Sequence, residues 1–92
     1  MENTKVTEEY VKANHPKLIK KYNKWVKSIP EEDMVPVASI YYVQSGDFIS
    51  LCTTSSDGHW DGPSMAVHVP SGKVFDPEGD HDLTDLFWDT WG

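Results

Sequence analysis

Apolar residues recur every three or four positions between residues 16 and 29, and every second position from residue 37 onward. That change of period constrains the fold more than any other feature of the chain. Leu18, Ile19, Tyr22, Trp25, Val26 and Ile29 make one stripe at helical spacing, and Lys17, Lys20, Lys21, Lys24 and Lys27 line the other side. Pro16 suits the first turn of a helix and disfavours helix at His15. A short helix capped by Thr7, with Glu8 and Glu9 in its first turn, is therefore expected to stop before Pro16, where a longer one starts. Pro30 and Pro36 bracket the loop that ends it.

Past Pro36 the residue types change with the period. "VASIYYV" and "FISLCTT", joined by "QSGD", read as one hairpin, and "SMAVHV" and "KVFD", joined by "PSG", read as a second. "SSDGHWDGP" between them is a loop by composition. In "DHDLTDLFWDTWG", Leu83, Leu86, Phe87 and Trp91 return to helical spacing, with Asp82 as the expected cap. The expected architecture is α+β, one domain over residues 1–92. An N-terminal amphipathic helix packs on an antiparallel sheet of about four strands, and a short helix closes the chain. Four Trp, four Tyr and three Phe supply enough apolar bulk for a core without disulfides. The single cysteine, Cys52, excludes an intrachain disulfide and points to a reducing compartment. With no secretory h-region and no apolar run of membrane length, a soluble cytoplasmic domain is expected.

The net charge of −7 is unevenly spread. Residues 1–28 carry seven lysines against three glutamates, whereas residues 76–92 carry six acids and no base. There is no arginine, which argues against a dedicated phosphate or nucleic-acid reader.

"HVPSGKVFDP" raises the question of catalysis. A three-residue loop over Pro70, Ser71 and Gly72 sets Val69 against Lys73 and puts Val67, Val69 and Phe75 on the core face. His68 and Asp76 then become diagonal neighbours on the other face, within reach for a carboxylate to orient an imidazole. A two-residue loop over Ser71 and Gly72 would separate them. Cys52 would complete a thiol triad, but it stands inside a strand pattern, without the helix N-terminus that commonly activates a thiol. Within "SLCTTSSDGHWDGPSMAVHVPSGKVFDPEGDHDL", Ala66, Val67 and the pair Asp76 and Pro77 fit a strand–turn–strand ending in "DP". Residues 50–83 thereby resemble the C-terminal sheet of papain-like cysteine peptidase domains, especially short phage and bacterial versions. That family's histidine would fall at Ser64 or Met65, and its cysteine would start an earlier helix that holds no cysteine here. The resemblance implies a truncated, inactive relative.

Metal chemistry has weaker support. Asp76, Glu78, Asp80 and Asp82 alternate as in a calcium loop, but His81 and Phe87 stand where glycine and glutamate are needed. His59, Asp61, His68 and His81 lack the spacing that preorganises a transition-metal site. No metal or cofactor is expected. The acidic end reads either as a face neutralised by the lysine stripe or as an exposed surface for a partner. On the second reading Asp80, Asp82, Asp85 and Asp89 imitate phosphates, with Trp88 and Trp91 as aromatic anchors. The expected function is a small acidic intracellular binding protein, such as a phage or mobile-element inhibitor occupying a basic, nucleic-acid-binding surface of a host protein. The alternative is a minimal thiol hydrolase using Cys52, His68 and Asp76. Direct contact with nucleic acid or membrane is not expected, and a homodimer is permitted.

Overall fold

The Thr7 backbone is extended, and its Oγ1 accepts a hydrogen bond from the Tyr10 N–H at 3.1 Å, starting helix α1 (Glu8–Asn14). Helix α2 (Pro16–Ser28) begins on Pro16, as the proline rule predicts, and buries Leu18 and Tyr22. Trp25, placed on the apolar stripe by its spacing, is exposed beside Tyr22. This computed structural model describes residues 3–33, 36–58, 60–79 and 81–91. Among them no helix is long and apolar enough to cross a membrane.

Among the described residues five antiparallel strands form one sheet in the order β1-β2-β3-β4-β5. They are β1 (Thr4–Val6), β2 (Val37–Ser45), β3 (Phe48–Ser55), β4 (Asp61–His68) and β5 (Lys73–Phe75). The fold class is α+β as expected, with one strand more than the four foreseen. Three residues are too few for a periodic signal, so β1 is invisible until it pairs with Tyr42, Val43 and Gln44 of β2. β3 also pairs with β4, which merges the two expected hairpins into a continuous meander. The intervening loop is shorter than its composition indicates, because the Ser55 N–H donates to the Trp60 carbonyl and the Trp60 N–H to Ser55 Oγ. Pro63 lies inside β4, but β5 pairs only with residues 66–68, so the missing N–H faces an unpaired flank.

Side-chain alternation gives the sheet two different faces. Tyr42, Ile49, Leu51, Met65 and Val67 meet Val11, Leu18 and Tyr22 beneath α1 and α2. Phe48, Ala66 and Phe75 point the other way and meet Phe87 of α3 (Thr84–Thr90), with Leu83 and Trp91 packed alongside. Ser45 Oγ donates to the Thr90 carbonyl at 2.8 Å, and Trp88 Nε1 donates to the Pro77 carbonyl at 2.9 Å, pinning α3 at both ends. The lysine-bearing helix and the acidic helix thus lie on opposite sides of the sheet. The expected neutralisation of one by the other does not occur. Among the described residues the ion pair is Lys12 with Glu8, within α1.

Candidate functional site

The β4–β5 hairpin has a four-residue loop. Its strands pair Ala66 with Phe75, Val67 with Val74 and His68 with Lys73. Gly72, at a φ of +72°, donates its N–H to the His68 carbonyl and closes the turn. This is one residue away from the register expected of a three-residue loop, and one residue reverses every face. Val69, expected in the core, is 37% exposed, while Val74 joins the core under α2. His68 points to the α3 face with Phe75, and alternation sends Asp76 the opposite way. The expected His68–Asp76 diagonal pair therefore does not form. His68 Nδ1 instead shares a hydrogen bond with Ser71 Oγ at 2.8 Å, and Asp76 Oδ1 accepts the Glu78 N–H in a tight turn.

Cys52 stands in the middle of β3, opposite Tyr41 and Pro63, with no exposed surface. His68 lies opposite Phe48 on the same sheet face, four residues farther along, which is about 13 Å at the rise of a strand. The three residues of the thiol alternative are therefore not brought together. Burial is the main cause that pushes the Cys52 thiol up to about 12; the Asp61 carboxylate adds to the rise, and a hydrogen bond with Tyr41 partly offsets it. The Tyr41 hydroxyl donates to Asp61 Oδ1 at 2.6 Å, and this bond is the largest cause of a pKa raised above the ordinary tyrosine value. Tyr41, Cys52 and Asp61 form a cluster that ties three strands together, in which the tyrosine hydroxyl and the thiol hold their protons.

The acidic segment has the opposite character. Asp82, Asp85 and Asp89 are exposed. Leu86, expected in the core, is 51% exposed, and Trp88 is 38% exposed with its indole N–H already committed to Pro77. Trp91 is half-buried and stacks on Phe87 with ring centroids 5.7 Å apart, so it serves the core as much as the surface. Asp82 does not cap the helix; Leu83 holds that position and makes no side-chain cap bond. Sequence spacing missed Leu86 as a surface residue because the inward stripe runs through Leu83, Phe87 and Trp91 at four-residue steps, which leaves Leu86 about 100° round the helix from Phe87.

Asp80 and His59, considered above for partner and metal binding, lie outside the described residues. Among the described residues no three metal-ligating side chains gather. His81 stacks on Phe75, and its Nδ1 accepts the Leu83 N–H. No family model, no characterised protein and no solved structure matches the chain.

Proposed function

We propose that this chain is a binding protein that presses its α3 face against a basic, nucleic-acid-binding surface of another protein. Such a role suits an inhibitor of the kind carried by phages and mobile elements. The observation that carries the reading is that Asp82, Asp85 and Asp89 are exposed and make no ion pair among the described residues, although the helix dipole favours Asp85 in the first turn. Asp85 and Asp89 are like charges four residues apart on one helix, an arrangement that costs roughly 0.2–0.5 kcal/mol. Asp89 also lies in the last turn, where the helix dipole disfavours an acid, and no base stands in that turn. The α2 lysines are beyond the sheet, and Lys5 and Lys73, which alternation sets on the α3 side, form no ion pair with these acids among the described residues. Exposed Leu86 and Trp88 supply apolar contacts between the charges. On this reading residues 50–83, despite their likeness to a peptidase sheet, are scaffold.

The test compares the chain with a variant carrying Asp82→Asn, Asp85→Asn and Asp89→Asn. Proteins captured from lysate by the original chain should be lost from the variant and displaced by duplex DNA, and capture should weaken with salt. Equal capture by both proteins at low salt would refute the reading.

A further inference from the structure

β2 is nine residues long, but β1 pairs with only three of them, Tyr42 to Gln44. The outer flank of residues 37–41, about 17 Å of strand, pairs with no strand among the described residues. Val37 and Ile40 on this stretch are 46% and 47% exposed. Where β1 leaves the edge, Lys5, Val6, Glu8, Ile40, Tyr41 and Tyr42 line a cleft of about 260 Å³, in the track that another strand would follow.

Sheet edges in stable monomers are blocked by charge, proline or irregularity. The opposite flank of this sheet follows that rule. The uncovered part of β4 contains Asp61 and Pro63, and its pairing with β3 shifts register beside Leu51 and Cys52. The β2 flank has no charged residue and no proline between residues 37 and 41; its one irregularity is a bulge at Ala38. We infer that the open flank of β2 is a dimerisation edge at which a second copy of this chain adds its own β2 antiparallel, joining two five-stranded sheets into one.

The strand is complementary to itself. A two-fold axis at Ser39 sets Ser39 against its symmetry mate and Ala38 against Ile40 of the second copy, so that neutral residues meet neutral residues, and the bulge at Ala38 ends the regular ladder before Val37. The same axis carries the acidic turn Glu31–Asp33 that precedes β2 toward the Tyr41 end of the other copy. There Lys5 Nζ lies 5.9 Å from the Tyr41 ring centroid and has no carboxylate partner among the described residues. Each copy therefore offers acid to the other's lysine, twice per dimer. This edge is separate from the α3 face, so dimerisation and partner capture are independent outcomes.

Sedimentation equilibrium should show twice the chain mass of 10.4 kDa, with dissociation on dilution. Ile40→Lys should give a monomer with unchanged far-UV circular dichroism, and its urea midpoint should no longer rise with protein concentration. In a Cys52→Ala background, Ser39→Cys should form an intermolecular disulfide under mild oxidant, since directly opposed Cα atoms about 4.5–5.5 Å apart suit such a bond. Ser71→Cys, on the exposed turn at the other edge, should cross-link more slowly. A chain that remains a monomer at millimolar concentration overturns the inference. So does a dimer that survives Ile40→Lys and cross-links no faster at Ser39→Cys than at Ser71→Cys, or a monomer whose edge takes up a foreign peptide.

Discussion

Iodoacetamide applied to the folded chain from about pH 7 to about pH 10 should leave Cys52 almost unmodified, because the thiolate is the reacting species. A thiol lifted from 9.0 to about 12 carries roughly a thousandth of the ordinary thiolate at pH 8. Access lowers the rate again, since Cys52 has no exposed surface. If modification goes through an opening that costs about 5 kcal/mol, the exposed thiol regains its ordinary pKa and the rate falls by three to four powers of ten in place of the thiolate factor. The assay is mass-spectrometric labelling over time across pH and urea. The rate should rise with urea in parallel with global unfolding. The same raised pKa makes a prediction for stability. The folded state holds the Cys52 proton more tightly than the unfolded chain, so this contribution is complete below pH 9 and is lost as pH rises from 9 toward 12. Above pH 9 the stability should fall by about 1.4 kcal/mol per pH unit from this group, and Cys52→Ala should flatten that slope. Labelling of the native chain in seconds, with an apparent pKa below 9, would refute the burial argument and revive the thiol hydrolase.

Three further substitutions probe the packing. Phe87→Ala removes a fully buried ring that touches Phe48, Phe75, Trp88 and Trp91; it should cost about 3–5 kcal/mol in urea unfolding and shift tryptophan fluorescence as α3 loosens. Ser50→Ala deletes a buried hydroxyl with no partner, so stability should hold or rise by up to about 1 kcal/mol, equivalent to roughly 4–8 °C in Tm for a domain this size. Gly72→Ala meets no atom within 4 Å, so its cost of about 1–2 kcal/mol should come from the left-handed backbone alone.

The long helix, the central strands and the α3 position were legible in the sequence because each depends on local period and on local signals. Thr7 and Pro16 act on their own turn of backbone, and Leu18 and Tyr22 repeat often enough to mark a face. The candidate sites depended on register, which local signals determine poorly. "PSG" supports loops of two, three or four residues, and the choice was made by packing: Val67 and Val74 both fit the core under α2, while Phe75 fits beside Phe48 and Phe87. That choice separated His68 from Asp76.

The sequence by itself determined the period switch, the buried aromatic supply and the separation of charge along the chain. Tertiary structure decided where those charges lie. The sheet interposes its two cores between α2 and α3, so a basic segment and an acidic segment that could have cancelled occupy opposite faces. The same structure leaves the outer flank of β2 over residues 37–41 without a paired strand among the described residues. Both results depend on contacts between residues far apart in the chain, where side-chain volume and strand register outweigh any local preference.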